Sequence, residues 1–125
     1  MKLPADSTIL LVEDNHINQR LAVLTINVLA LKCDVASNGR EAFEMYQEKK
    51  YNLILMDMQM PVMNGVESTK MIRAFEKESG SSHRAYIVAL TGSEPSEMKD
   101  ICLEAGMDDF IEKPIRTEWL RTLLA

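Results

Sequence analysis

Five short runs, three of them nearly continuously apolar and each followed by a stretch with helical periodicity, place the tightest limit on what this chain can fold into. They are Thr8-Ile9-Leu10-Leu11-Val12, Cys33-Asp34-Val35-Ala36, Asn52-Leu53-Ile54-Leu55-Met56, Tyr86-Ile87-Val88-Ala89-Leu90 and Asp109-Phe110-Ile111-Glu112. Runs of this kind suit strands covered on both faces, the condition of a parallel sheet packed between helices. The spacing predicts strands at 8–12, 33–36, 52–56, 86–90 and 109–112, with helices at 16–31, 39–49, 66–78, 96–105 and 117–124. Such alternation builds a doubly wound α/β domain of five βα units with strand order 2-1-3-4-5.

Boundary signals support these divisions. Asn38 followed by Glu41 has the form of a capping box, Gly80 stops the third helix, Pro95 suits a first helical turn, and Gly106 ends the fourth helix. Residues 1–6 read as a tail or linker remnant and 7–125 as one domain. Leu123-Leu124-Ala125 carries no stop signal, so the chain is expected to be cut from something larger.

With 125 residues, 46% of them hydrophobic, the chain can bury a full core without staples. A net charge of −5 and a pI near 5.0 argue against nucleic acid or an anionic membrane as a direct partner. No apolar run approaches the roughly 20 residues that cross a bilayer. Cys33 and Cys102 stand far apart, with no C-x-x-C and no His at zinc spacing, so two reduced thiols of a cytoplasmic compartment are expected.

In an open parallel sheet the carboxyl ends of all strands share one edge, and ligands bind there. Four of the five strands deliver a chemically useful group to that edge. Glu13-Asp14 follows the first, Asp57 the third, Thr91 the fourth and Lys113 the fifth. With the first and third strands adjacent, three carboxylates crowd one crevice and repel one another. A hard divalent cation removes that repulsion, and Mg²⁺ suits it by taking one or two carboxylates while leaving positions for water and phosphate oxygens. Thr91 supplies a hydroxyl for a phosphoryl oxygen, and Lys113 a compact positive charge against the charge of a phosphoryl group in transfer. A plainer reading makes Glu13-Asp14 the cap and first-turn acids of the next helix, and Asp57 a turn residue before Pro61.

The segments Leu11-Val12-Glu13-Asp14-Asn15, Met56-Asp57-Met58-Gln59-Met60-Pro61-Val62-Met63-Asn64-Gly65, Val88-Ala89-Leu90-Thr91-Gly92 and Gly106-Met107-Asp108-Asp109-Phe110-Ile111-Glu112-Lys113-Pro114-Ile115 resemble the receiver domain of two-component response regulators. The resemblance covers nearly the whole chain and implies a flavodoxin-like fold. Glu13-Asp14-Asn15-His16-Ile17-Asn18-Gln19 and the Gly-Met-Asp-Asp segment look most like receivers of hybrid sensor histidine kinases.

The resemblance implies that Asp57 is the phosphoacceptor, receiving the group from a phosphohistidine in a domain that catalyses its own Mg²⁺-dependent phosphorylation and dephosphorylation. It implies Asp14 as a direct metal ligand, Glu13 as one acting through water, and the backbone carbonyl of Gln59 as a further ligand. Thr91 and Lys113 match the groups that grip the phosphoryl oxygens, the Lys113-Pro114 peptide is expected to be cis, and Phe110 matches the aromatic switch position. The implied partners are a histidine kinase or a histidine-phosphotransfer protein. Gly92 stands where the family more often has Ala, and Glu13-Asp14 where it often has two Asp. The rival reading is a degenerate receiver that only binds partners, and the complete set of acids, Thr and Lys speaks against it. A phosphoaspartyl hydrolase needs Asp where this chain has Gln59, and no P-loop motif occurs.

Leu21-Ala22-Val23-Leu24-Thr25-Ile26 is apolar over more than one stripe. Either the first helix is mostly buried, or its surplus with Ile17 forms a docking strip. On the second reading a phosphotransfer domain packs on Ile17 and Leu21, with Pro114 and the Met60 loop at the rim.

Overall fold

The computed structural model describes residues 3, 4, 6–58, 60, 62–80, 82–92 and 97–124. Strands β1 (Ile9–Val12), β2 (Cys33–Ala36), β3 (Leu53–Asp57), β4 (Tyr86–Thr91) and β5 (Asp109–Glu112) alternate with helices α1 (His16–Val28), α2 (Gly39–Glu48), α3 (Gly65–Ser79), α4 (Glu97–Ala105) and α5 (Thr117–Leu123). All neighbouring strands pair in parallel in the order β2-β1-β3-β4-β5, as expected. No helix among the described residues is long and apolar enough to cross a membrane.

Successive residues of each strand point to opposite faces, so each strand feeds two cores. Leu10, Val12, Ile54, Met56, Ile87 and Ala89 pack under α2, α3 and α4, whereas Ile9, Leu11, Leu53, Leu55, Val88 and Leu90 pack under α1 and α5. The two cores differ in composition. Met56, Met58, Met60 and Met107 lie in the first, with Met45 and Met98 partly buried against it; among the described residues the second holds no methionine. Leu3, inside the segment expected as a tail, is buried in the second core, and its amide donates to the Leu123 carbonyl at 2.7 Å.

Local chemistry explains the boundaries. Asn64 and Glu67 form a complete capping box at α3, with Glu67 N donating to Asn64 Oδ1 at 2.9 Å and Asn64 N donating to Glu67 Oε1 at 3.4 Å. The box expected at Asn38 is half made. Asn38 Oδ1 accepts from Glu41 N, but the Glu41 carboxylate takes the amide of Ser37 rather than that of Asn38. Helix α1 ends three residues before the expected boundary, at a turn where Ala30 adopts φ 60°. Pro95 lies outside the described residues.

A polar clamp joins α3 to the β4 and β5 entrances, at the edge opposite the strand ends that carry Asp57 and Thr91. Arg73 donates to Glu76 at 2.7 Å, to Asp108 at 2.9 Å and to the Gly106 carbonyl at 2.9 Å. Gly106 has φ 110°, and a Cβ there would lie 2.8 Å from Arg73 Cγ, so the clamp requires glycine on both counts. Burial alone would raise the Glu76 carboxyl, but the Tyr46 hydroxyl, the Ala85 amide and the Arg73 guanidinium hold it below the ordinary carboxylate range. Its stabilising effect is therefore complete above a pH of about 4.3 and is lost as pH falls through the lowered folded-state value. Arg73→Met should cost about 3 kcal/mol in chemical denaturation, because two largely buried carboxylates lose a cationic partner. Acid unfolding of the variant should begin at higher pH than in the parent chain, and coincident acid limbs would refute this account.

Candidate functional site

The parallel register sets Val12 beside Met56 and Asp57 beside Leu90, so the residues that follow β1 meet the end of β3. Asp57 is the last residue of its strand and 2% exposed; Glu13 is 3% exposed. Glu13, Asp14 and Asp57 each offer a carboxylate oxygen, and these atoms lie within 4.8 Å of one another. Lys113, just past β5, places Nζ 3.0 Å from Asp57 Oδ1 and 3.1 Å from Glu13 Oε1. Burial lowers the Lys113 pKa, but hydrogen bonds to Asp57 and Glu13 and the charges of both outweigh it, and the group is held above its ordinary value. Three carboxylates against one ammonium leave two negative charges, the amount that one divalent cation neutralises. A small, oxygen-lined, anionic cluster suits Mg²⁺.

The plainer reading of Glu13-Asp14 does not hold. The cap of α1 is Asn15, whose side chain accepts from Asn18 N at 3.0 Å, and no acid occupies the first turn. Both acids stand before the helix. Thr91 ends β4 and is 2% exposed, and its hydroxyl donates to the Ile111 carbonyl at 3.2 Å. That bond ties it to β5. Lys113 N donates to the Thr91 carbonyl at 2.7 Å, and the Lys113–Pro114 peptide is cis, as the resemblance implies. Phe110 is half-buried against the methionine-containing core. Gln59 lies outside the described residues.

The start of α3 contributes a residue that sequence reasoning missed. A Cβ on Gly65 would lie 2.5 Å from the Asp57 carbonyl oxygen, so glycine lets α3 close directly onto the residue after which the loop begins. Its position just after the Asn64 cap was the only available signal. The expected rim residue Met60 needs correction. It is 9% exposed and packs in the core, while Val62, 65% exposed, takes the outward position in the same loop.

Helix α1 is not mostly buried but has two apolar faces. Ile26 is fully buried, and Ala22, Val23 and Leu29 pack against the core. Ile17, Leu21, Leu24 and Val28, by contrast, are between 53% and 70% exposed. Spaced at i, i+4, i+7 and i+11, they form one stripe along about 16 Å of helix. Leu21 and the exposed Pro114 also line a cavity of about 70 Å³ between α1 and the segment after β5.

The profile of the response regulator receiver domain matches residues 9–125. Hybrid signal transduction histidine kinase F of Dictyostelium discoideum is 40% identical over 116 residues, covering 93% of this chain and 10% of the kinase, so the chain spans about a tenth of that relative. Among solved structures, the receiver domain of the Saccharomyces cerevisiae response regulator Ssk1, in co-crystals with the histidine phosphotransfer protein Ypd1, is similar with a TM-score of 0.86 and 36% identity over 96% of this chain and 87% of the other. The receiver domain of a sensor histidine kinase of Pseudomonas aeruginosa, with a magnesium ion in its active-site cleft, has a TM-score of 0.80 and 34% identity, with 94% of this chain and 93% of the other covered. The match runs from the first strand to the last helix in both sequence and fold, and the chain belongs to the response regulator receiver domains.

Proposed function

We propose that this receiver domain takes a phosphoryl group from a phosphohistidine onto Asp57 in a two-component phosphorelay, with Mg²⁺ held by Asp14 and Asp57 directly and by Glu13 through water. The observation that carries this reading is the convergence of Glu13, Asp14 and Asp57 within 4.8 Å around a lysine bonded to two of them. The resemblance assigns a further ligand to the Gln59 carbonyl. When bound, Mg²⁺ would neutralise charge on the phosphoryl oxygens.

An Asp57 carboxylate oxygen forms a bond to phosphorus as the bond from phosphorus to the donor imidazole nitrogen breaks, leaving an acyl phosphate. Lys113 already stands at Asp57 Oδ1 and Glu13 Oε1 and can turn its third proton to a phosphoryl oxygen. Thr91 must first release the Ile111 carbonyl, which makes its hydroxyl a two-position element. On this reading Phe110 follows Thr91 inward and alters the face made by α4, β5 and α5. Lacking a hydroxyl, it acts by packing alone.

The donor has to bring a histidine to a crevice flanked by α1, whose apolar stripe begins at Ile17, one turn beyond Asp14. That supports a helical histidine-phosphotransfer domain as the partner, packed on Ile17 and Leu21 with Pro114 at the rim. The Ssk1 receiver is paired with such a protein in the similar structure. This reading sets the relay in the cytoplasm, and Cys33 and Cys102, which form no disulfide, agree with it.

Asp57→Asn keeps the shape of the side chain, so it should leave the thermal midpoint nearly unchanged and abolish labelling by a phosphohistidine donor. Persistent labelling would sink the assignment. Ile17→Glu should slow transfer from a protein donor about tenfold, the effect of roughly 1.4 kcal/mol at an interface. Labelling by a small acyl phosphate needs no docking surface and should proceed at the parent rate. If both rates fell together, the docking surface would have to lie elsewhere.

A further inference from the structure

Glu13 is held at four points, one of them by a side chain with no role described so far. Its amide donates to the Ala36 carbonyl at 3.0 Å, Oε1 accepts from Lys113 at 3.1 Å, and Oε2 accepts from Asn15 N at 3.1 Å. The fourth contact is to the backbone carbonyl, which accepts from Nε2 of Gln19 at 2.5 Å. Gln19 is half-buried on α1 and reaches back six residues to make this bond. The same nitrogen lies 3.5 Å from Ser37 Oγ, beyond the end of β2. A carbonyl can only accept, so the nitrogen of the Gln19 amide, not its oxygen, must face Glu13.

The Glu13 carbonyl belongs to the planar peptide that joins Glu13 to Asp14. Holding its oxygen fixes the plane, and with it the direction in which the chain enters Asp14. This matters because Glu13, Asp14 and Asp57 repel one another, and a rotation of that peptide is the simplest way for Asp14 to swing clear.

We propose that Gln19 is a positioning residue for the acidic cluster: it locks the Glu13–Asp14 peptide plane so that the cation ligands stay turned toward Asp57. This rests on the reading that the cluster binds Mg²⁺. It makes cation affinity depend on a side chain of α1 that touches neither the cation nor the phosphoryl group. Outer partners that orient metal ligands commonly contribute tenfold or more to affinity.

The test uses the whole chain, with Gln19→Met, which keeps length without a donor, and Gln19→Glu, which sets a carboxylate against the carbonyl. In the unaltered, metal-free protein, one Nε2 proton of Gln19 should resonate downfield of those of exposed Gln47. Mg²⁺ titrated by calorimetry should bind about tenfold more weakly to both variants. Their thermal midpoints should stay within about 4 °C of the parent. Labelling by a small acyl phosphate at saturating Mg²⁺ should stay within about twofold. Parent-like Mg²⁺ affinity would overturn the proposal, and so would a fall of affinity, saturated rate and midpoint together, which would make Gln19 general support for the fold. An unshifted Nε2 proton would remove the Gln19 contact alone, whereas failure of the unaltered chain to bind Mg²⁺ would remove the metal reading and this inference with it.

Discussion

Two acids at the ends of adjacent parallel strands are a liability that this fold meets with one ammonium. Asp57 and Glu13 are almost fully buried, and water does little to screen them there. Lys113 arrives from the far side of the sheet, past β5, and its Nζ touches both. The arrangement requires β1, β3, β4 and β5 in register, because a shift of one residue would turn Asp57 into one of the two cores. The apolar layers on either side of the sheet thus determine where the charges meet. With its pKa held above the ordinary value, Lys113 stays charged throughout the neutral range. The acids in turn remain close enough together to be useful.

The elements around this centre divide the work between them. Helix α1 is capped by Asn15, so neither acid is spent on the helix terminus, and its outward stripe begins within a turn of Asp14. Helix α3 approaches from the other side, where Gly65 allows its backbone to abut Asp57 and a full capping box holds its first turn. The Arg73 clamp secures the opposite edge of the sheet and leaves the ligand-binding edge to the loops.

Strands and strand-end chemistry could be read from the chain because both depend on period and order. Residues buried on two faces leave a continuous apolar run, and the residue that breaks the run is the one facing the crevice. Glu13, Asp14, Asp57 and Thr91 were identified that way, Lys113 by its place after the partly acidic β5 segment, and the structure brings the three acids and Lys113 together. What escaped reading had no period. Met60 lies in a loop, where an apolar side chain looks the same whether it points in or out. The end of α1 was missed because Ala30 takes a left-handed turn that usually announces itself with glycine. The buried and exposed faces of α1 could not be separated while nearly every position from Leu21 to Ile26 was apolar. Gln19 offered no signal, since a side-chain amide bonded to a carbonyl six residues back follows no general pattern.

The unequal composition of the two cores has a mechanical consequence. Methionine is unbranched and changes shape at little cost, whereas Leu, Ile and Val are stiffer. Met56 and Met58 flank Asp57, and both lie on the compliant side, together with Phe110 and α4. The opposite side, under α1 and α5, is built from branched aliphatic side chains. A displacement at the end of β3 is therefore absorbed on one side of the sheet and resisted on the other. A side chain that moves beside Asp57 thus meets more accommodating neighbours on the α2–α4 side, Phe110 among them, than beneath α1, where the exposed apolar stripe lies.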